Sequence, residues 1–336
     1  MPFAPIYAQH LASLYEPELL ESLKGKTLLI TGASGLIGRF FVDSLLASDV
    51  DFRLILPLRR QMSFSDSRAQ SLVANICEPL KLPSATKLDA IVHLASPAFP
   101  AAYHQYPLEP VMLNVDATRH LLELASAHHA KFIFASSCEI YGESAKILAE
   151  TDMGYLDCMQ PRNCYNESKR LAETLTQVYA QYRGIESIIL RFPRVFGATF
   201  SAQNNSACAS FLRDCAMDRD IWLKSEGQQQ YSFLYVGDCV RAILFALAKL
   251  PANQAYNVAT SAMKLYDFAL EIVKLNPKIM LKHERAELVG YGKTQYVVFD
   301  TSKIQKHGFD TKFSILQGLQ ISLAILRERR DNGEQL

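Results

Sequence analysis

A glycine-rich turn near the start of the chain constrains the fold more than any other feature. The segment TLLITGASGLIGR places Gly32, Gly35 and Gly38 between a short apolar strand and a helix. Residues without Cβ let the backbone turn sharply towards a pyrophosphate, and the N–H groups of the helix N-terminus attract phosphate. Because a strand precedes the turn and a helix follows it, the triplet predicts a dinucleotide site, with a purely structural turn as the alternative.

Apolar strands and helices alternate after this turn. The pattern predicts strands over residues 26–30, 52–58, 90–94, 131–135 and 187–190, and helices over 36–46, 114–127 and 164–182. Strands that are apolar throughout must be covered on both faces, so the alternation predicts an α/β fold with a Rossmann-type, doubly wound parallel sheet.

The two ends of the chain depart from this alternation. Residues 1–24 are predicted to form a helical arm, with Leu14, Leu19, Leu20 and Leu23 as its apolar face. We assign residues 25–195 to the dinucleotide-binding domain. Residues 196–336 are predicted to form a smaller, mainly substrate-binding lobe, interleaved with late elements of the sheet. Short strands are expected over 220–223, 233–236 and 255–258.

Composition excludes several classes of partner. The net charge of +1 predicts no attraction to nucleic acid or to an anionic membrane. The seven cysteines are scattered and form no CxxC pair, which favours isolated thiols over a disulfide framework or a metal site. The opening residues MPFAPIYAQH do not read as a signal peptide, and no window approaches the roughly 18 apolar residues of a membrane span. We therefore expect a cytoplasmic protein without a bound metal.

The end of the second predicted strand bears on the kind of dinucleotide. An acidic residue usually holds the ribose 2′-hydroxyl there, but this chain has Arg59 and Arg60 instead. Two guanidinium groups suit a 2′-phosphate, so NADP is as plausible as NAD, unless both arginines are merely surface residues. Asn75, after a third strand segment, is a candidate contact to the adenine.

A tyrosine and a lysine form a candidate acid–base pair. Tyr165 and Lys169 are four residues apart in a predicted helix, so their side chains lie on one face. A lysine ammonium, together with an oxidised nicotinamide, favours the phenolate and should lower the pKa of the tyrosine from its usual value of about 10. Ser137 ends a strand where open α/β sheets bind ligands, and it is placed to bond the substrate hydroxyl that Tyr165 deprotonates.

The ordered segments TGASGLIG, SSCEIYG, YNESK, YVGD, YNVA and DTSK resemble the extended short-chain dehydrogenase/reductase family, which contains nucleotide-sugar epimerases and dehydratases. Over about residues 25–325 the pattern is similar throughout. The closest likeness within the family is to UDP-glucuronate decarboxylases. It is carried by HLASPA (93–98), YxxxP (103–107), SCEIYG (137–142) and PRNCYNESKRLAET (161–174).

This resemblance implies a tightly bound NAD or NADP that oxidises the sugar at C4 while Tyr165 takes the hydroxyl proton. The resulting 4-keto sugar then loses CO2, rotates or eliminates water before it is reduced again. Glu139 matches a glutamate shared by the decarboxylases and the 4,6-dehydratases. The dehydratases usually carry an aspartate just before it, and Cys138 stands there in this chain, which counts against dehydration.

Further contacts are predicted around both ligands. For the dinucleotide these are Ser34, Leu36, Ile37, Ile76, Leu94, Ala95, Ser96 and Asn114, in addition to the residues named above. For the substrate they are Pro97, Ala98, Tyr103, Ser137, Cys138, Glu139, Arg194 and Tyr231.

Two substrate positions depart from the pattern that the resemblance implies. The arginine expected two residues before the phenylalanine of the F-x-Y-V stretch is replaced by Tyr231. The asparagine expected in R-I-F-N-x-F-G-P is replaced by Arg194. We hypothesise that Arg194 supplies the positive charge lost at Tyr231. The alternative, with equal support, is a different substrate to which Arg194 makes another contact.

Three readings of the function remain open at this stage. The first is an enzyme acting on a nucleotide sugar, by decarboxylation, epimerisation or 4,6-dehydration in that order. The second is a ketoreductase that consumes NADPH, and the third is a non-catalytic dinucleotide sensor. By analogy with the family, we also expect a homodimer built through helices near 114–127 and 164–182.

Overall fold

The structure, a computed structural model, describes residues 4–97, 105–144, 146–284 and 296–336. The strands are β1 Thr27–Thr31, β2 Arg53–Leu58, β3 Ala69–Val73, β4 Ala90–His93, β5 Lys131–Ser137, β6 Ile147–Leu148, β7 Ser187–Phe192, β8 Arg194–Phe196, β9 Ile221–Leu223, β10 Gln230–Tyr235, β11 Gln254–Asn257, β12 Ser261–Lys264, β13 Leu281–His283 and β14 Tyr296–Phe299. Seven of them form one parallel sheet in the order β11-β7-β5-β4-β1-β2-β3. The predicted Rossmann-type sheet is confirmed.

The described helices are α1 Pro5–Ala12, α2 Pro17–Glu21, α3 Leu36–Leu46, α4 Leu108–Val111, α5 Ala117–His128, α6 Cys164–Arg183, α7 Ala207–Ala216, α8 Val236–Ala248, α9 Leu265–Lys274, α10 Ser302–Lys306 and α11 Ile315–Asp331. A π turn, Met112–Asp116, joins α4 to α5, and 3₁₀ turns lie at Cys138–Tyr141 and Pro161–Asn163. Within the part of the chain that the structure describes, no helix is both long and apolar enough to span a bilayer.

Alternating side chains of the large sheet are buried in two apolar layers, one on each face of the sheet. In β1, Leu28 and Ile30 join one buried apolar cluster, and Leu29 joins another on the opposite face. The whole of β7 is buried, as a strand covered by helices on both sides must be. The strand order reverses direction between β1 and β4, and in sheets of this kind ligands bind in the crevice at that point, beyond the carboxyl ends of the strands.

A second sheet, in the order β12-β10-β14-β6 with β8 beside β10, lies next to the first, and β9 pairs with β13. The two halves of the chain exchange strands. β11 comes from the predicted substrate lobe but closes the edge of the large sheet. Conversely, β6 comes from the predicted dinucleotide domain but pairs with β14 in the second sheet. Each sheet therefore contains strands from both sides of the predicted boundary near residue 195.

The N-terminal segment packs against both halves of the chain, although the sequence predicted an added arm. The Tyr7 hydroxyl donates to Asp43 Oδ2 at 3.1 Å, which ties the segment to α3. His10 Nε2 lies 2.8 Å from the Tyr235 hydroxyl at the end of β10. Leu14 is fully buried in the main apolar cluster. The segment thus contributes to the core.

Candidate active site

The glycine turn follows β1 directly and leads into α3. Gly32 has φ +72°, and a Cβ there would lie 2.7 Å from the Ala95 backbone nitrogen at the end of β4. A Cβ on Gly38 would overlap the Gly32 carbonyl oxygen. Gly35 is the N-cap of α3, and no described side chain caps this helix. The first N–H groups of α3 are therefore available to a phosphate, so the turn fits a dinucleotide.

Hydrogen bonds link this turn to the neighbouring strand end. Thr31 Oγ1 accepts from the backbone N–H groups of Leu94 and Ala95, each at 3.2 Å, and lies 2.7 Å from His93 Nδ1. The segment after β4 is thereby held against the glycine turn. This places two of the predicted cofactor residues, Leu94 and Ala95, at the reversal point of the sheet.

A second set of bonds connects the same crevice to α6. Ser96 Oγ donates to Asn114 Oδ1 at 2.8 Å, and Asn114 Nδ2 donates to Ser168 Oγ at 3.0 Å. Ser168 Oγ in turn donates to the Tyr165 carbonyl. Two predicted cofactor residues, Ser96 and Asn114, thus lie in one hydrogen-bonded chain with the helix that carries the candidate base.

The other predicted cofactor residues differ in their exposure. Ser34 and Gly35 are exposed, and Leu36 and Ile37 are half-buried, in the turn and at the start of α3. Ile76 is buried.

Three further positions lie at the surface beyond β2 and β3. Arg59 and Arg60 follow β2 and are exposed, and Arg59 donates to Glu109 at 3.1 Å. Asn75 is also exposed, and its side chain is engaged locally by Glu78 and by the Cys77 N–H.

The predicted substrate residues before α4 are only partly described. Pro97 is half-buried next to Ser96. Ala98 and Tyr103 lie outside the described residues.

Tyr165, Lys169 and Ser137 come together at the carboxyl end of β5. Ser137 is the last residue of this strand, and the hydroxyl of the buried Tyr165 is hydrogen-bonded to it. Lys169 Nζ donates to the Ala135 carbonyl at 2.8 Å and lies 6.0 Å from the Tyr165 ring centroid. The structure therefore brings the three predicted acid–base residues to one place, beside the crevice at the reversal point.

The electrostatics of the pair differ from the sequence expectation. Burial raises the pKa of Tyr165 well above its usual value, and this effect outweighs the hydrogen bond from Ser137 and the charge of Arg194, which both lower it. Burial also lowers the pKa of Lys169 to about 7, although Glu173 acts in the opposite direction. Desolvation is the largest influence on the pKa of both groups, and the expected lowering of the tyrosine pKa by Lys169 together with an oxidised nicotinamide stays a prediction.

Glu139 is surrounded by nitrogen donors. Its Oε1 accepts from Arg194 at 2.9 Å, and its Oε2 accepts from Asn166 Nδ2 at 3.1 Å and lies 3.6 Å from Arg162. Burial raises the pKa of Glu139, but the charges of Arg194 and Arg162 and the hydrogen bonds of Asn166 and Arg194 outweigh it, so the net pKa is lowered. Glu139 is therefore a carboxylate at neutral pH.

Arg194 and Tyr231 are neighbours, as the predicted exchange of charge between their positions requires. β8 pairs in parallel with β10, and Arg194 stands opposite Phe233, two residues beyond Tyr231. The Arg194 guanidinium carbon lies 4.7 Å from the Tyr231 ring centroid, within the range of a cation–π contact. The guanidinium group of Arg194 thus lies beside Tyr231, the position at which the resemblance implies an arginine.

Two residues of this cluster were given no role by the sequence interpretation. Arg162 and Asn166 stand within the quoted segment PRNCYNESK, but only their contacts to Glu139 reveal their place. Cys138, beside Glu139, is buried, which raises the pKa of its thiol to about 11. It is a protonated thiol at neutral pH.

The sheet and the glycine turn define an α/β protein of the Rossmann type. The chain belongs to the NAD dependent epimerase/dehydratase family, which matches residues 28–259. The predicted family, and with it the prediction of an enzyme, are confirmed.

Relatives and solved structures support this assignment. UDP-glucuronic acid decarboxylase 1 of Arabidopsis thaliana is 26% identical over 320 residues, 92% of this chain and 71% of the relative. UDP-glucose 4-epimerase of Thermotoga maritima has a similar fold, with a TM-score of 0.79 at 21% identity, over 90% of this chain and 99% of that one. UDP-glucuronic acid 4-epimerase of Bacillus cereus, solved with UDP-glucuronic acid and NAD, has a TM-score of 0.76 at 21% identity, over the same shares of the two chains.

Proposed function

We propose that this protein oxidises a nucleotide sugar at C4 with a tightly bound dinucleotide and then reduces the product again, with decarboxylation as the leading outcome and epimerisation as the next. The observation that carries the proposal is the meeting of Tyr165, Ser137 and Lys169 at the carboxyl end of β5. Curated relatives over more than nine-tenths of the chain are UDP-glucuronic acid decarboxylases, which supports the order of outcomes.

The dinucleotide would lie on the glycine turn and supply the acceptor and later the donor of the C4 hydride. Tyr165 takes the proton of the C4 hydroxyl, and Ser137 bonds the same oxygen. Because burial raises the pKa of Tyr165, the base depends on positive charge brought near it, and Arg194 already acts in that direction. The hydrogen bond from Lys169 to the Ala135 carbonyl holds the face of α6 that carries Tyr165 against β5.

The residues around the reacting sugar favour decarboxylation over dehydration. A carboxylate β to the new ketone leaves as CO2 because the ketone accepts the electrons of the broken C5–C6 bond as an enolate, and C5 then takes a proton from water; no leaving hydroxyl has to be protonated. Elimination of water requires a group that protonates the leaving hydroxyl. Cys138, where dehydratases usually carry an aspartate, is a buried thiol whose pKa is raised to about 11. Glu139 is a carboxylate held by two arginines.

Arg194 is proposed to bind the diphosphate of the nucleotide sugar. Its side chain keeps about a third of its exposure, more than Glu139 or Arg162, so it is the member of the cluster that presents charge outwards. An arginine matches two phosphate oxygens through parallel N–H donors. Its contact with Tyr231 sets the direction of the guanidinium plane.

Either dinucleotide is proposed to bind. Membership of an NAD dependent family supports NAD. Arg59 and Arg60 at the end of β2 support NADP, because their positive charge suits a 2′-phosphate. Release of the dinucleotide on simple washing would favour a ketoreductase that consumes NADPH, the second candidate function that these arginines support.

We also propose a homodimer through α5 and α6. Leu171, Val178 and Tyr182 are large, exposed and share one side of α6, which α5 flanks. Light scattering on the purified protein tests this assembly, and a Val178→Lys variant should shift it towards the monomer.

The proposed reaction is tested by incubating the protein with a panel of nucleotide sugars and reading the products by mass. Loss of the mass of CO2 from UDP-glucuronate indicates decarboxylation, and an unchanged mass with a new chromatographic position indicates epimerisation. Loss of the mass of water would favour dehydration and contradict the role given to Cys138. Absence of any product from the whole panel would contradict the proposed function.

A further inference from the structure

Four polar side chains form a continuous relay beneath the proposed substrate site. Arg162 donates to Asn166 Oδ1 at 3.1 Å. Asn166 Nδ2 donates to Glu139 twice, to the carbonyl oxygen at 2.8 Å and to Oε2 at 3.1 Å. Glu139 Oε1 accepts from Arg194 at 2.9 Å. The relay therefore runs from the start of α6, through the turn after β5, to β8.

The two oxygens of Glu139 have separate partners. Oε2 faces Asn166 and Arg162, while Oε1 faces Arg194. Because one carboxylate is shared by two guanidinium groups, the cluster keeps a net positive charge. If Glu139 were held by Arg194 alone, the two charges would cancel as in an isolated ion pair and leave little positive charge for a ligand.

We propose that Arg162 is a positioning residue for substrate recognition. By holding Oε2 of Glu139, directly and through Asn166, it turns Oε1 towards Arg194 and leaves Arg194 part of its charge for the diphosphate. This inference rests on the proposed function, since it assumes that Arg194 meets an anionic ligand.

The place of Arg162 in the chain couples binding to chemistry. Arg162 precedes Tyr165 by three residues, and Asn166 follows Tyr165 directly. The same helix start therefore fixes both the base and, through Glu139, the arginine on β8. A displacement of Arg194 by a ligand would be transmitted through Glu139 and Asn166 to the first turn of α6, which carries Tyr165.

Another role for Arg162 would be local. Arg162 also donates to Asn163 Oδ1 at 3.4 Å within its own 3₁₀ turn, and a local role would be limited to stabilising the start of α6. The two roles differ in one measurable respect. A relay through Glu139 makes the effect of losing Arg162 depend on the Glu139 charge, whereas a local role does not.

The test is a double-mutant cycle on Arg162→Gln and Glu139→Gln, with UDP and UDP-glucuronate binding measured by calorimetry on the full chain with its dinucleotide. We expect Arg162→Gln to weaken UDP binding roughly tenfold, the scale of one charge-assisted hydrogen bond. In the Glu139→Gln background the same change should cost less than about threefold. Arg162→Lys, which keeps the charge but loses the planar fork, should fall between wild type and Arg162→Gln.

Arg219→Gln is the matched control, because Arg219 forms an exposed ion pair with Asp214 at 2.9 Å, and it should leave UDP binding unchanged. Equal losses in both backgrounds would overturn the positioning role. If Arg162→Gln does not fold, as judged by its thermal transition, the cycle is run with Arg162→Lys. A wild-type protein that binds neither UDP nor UDP-glucuronate would overturn the proposed function and this inference together, whereas binding with additive losses overturns the inference alone.

Discussion

Two regions of this protein differ in how well they follow the sequence pattern of the family. One is the crevice between the glycine turn and Tyr165, and the other is the substrate cluster, which comprises Glu139, Arg162, Asn166, Arg194 and Tyr231. At the crevice, the glycine turn and the Tyr165–Lys169 pair carry the motifs on which the resemblance rests, and hydrogen bonds of Thr31 hold the end of β4 against the turn. At the cluster, Arg194 and Tyr231 stand where the resemblance implies an asparagine and an arginine, and these two side chains lie against each other. The difference favours our proposal that the residues of hydride and proton transfer follow the family pattern, while the positive charge that meets the substrate stands on β8 at Arg194 instead of on β10.

In this proposal the positive charge is kept, but at Arg194 it has other neighbours than it would have at position 231. On β8, Arg194 is tied to Glu139, a residue placed two positions after Ser137. If Arg194 meets the substrate as proposed, its binding is linked through Glu139 to the turn that follows Ser137. We expect substitutions at the crevice to affect turnover most and those at the cluster to affect affinity most.

The largest effect is expected for Tyr165→Phe. It removes the only hydroxyl of that side chain, so proton transfer from the C4 hydroxyl loses its base, and kcat should fall by roughly 10²- to 10⁴-fold. The dinucleotide should remain bound, as its absorbance in the purified variant would show. Tyr155→Phe is the control, because Tyr155 is exposed. Turnover retained by Tyr165→Phe would refute the assignment of the base.

A pH effect on stability is expected from Lys169. Its pKa is about 7 in the folded protein against an ordinary value near 10.5, so between these values the unfolded chain binds more protons. The free energy of unfolding should therefore rise with pH above about 7, by at most about 1.4 kcal/mol per pH unit. Lys169→Met should remove this slope. The check is denaturant unfolding of both proteins, freed of dinucleotide, from pH 7 to 9.5; parallel pH profiles would contradict the prediction.

The sequence predicts local features well and tertiary electrostatics poorly. The helix over 36–46 is found as Leu36–Leu46, and the family follows from ordered motifs, because strand and helix periodicity and glycine geometry are local properties. The raised pKa of Tyr165 depends on burial, which arises only when β5 and α6 pack together. The Arg162–Glu139 pair joins residues 23 positions apart in sequence. The contact of His10 in the N-terminal segment with Tyr235 could not be predicted for the same reason, since these two residues meet only in the folded chain.

A smaller effect, and one on affinity, is expected for Arg194→Ala at the substrate cluster. Loss of a charge-assisted contact to the diphosphate should raise KM roughly 10- to 100-fold with a modest change in kcat. Steady-state kinetics with the nucleotide sugar found active in the panel measures both constants. A KM equal to that of the wild type would show that Arg194 does not meet the substrate, and the charge would not have moved from β10 to β8.

The smallest effect is expected at the end of β2, beside the crevice. Arg59 and Arg60 replace the usual acid, but both are exposed, and the ion pair of Arg59 with Glu109 is open to solvent. Changing both to alanine should weaken NADP binding about fivefold to tenfold and leave NAD binding unchanged, because only NADP carries the 2′-phosphate. NAD is thus the matched control ligand, and fluorescence titration of the reduced forms gives both Kd values. Equal weakening of the two dinucleotides would show that these arginines do not bind the 2′-phosphate.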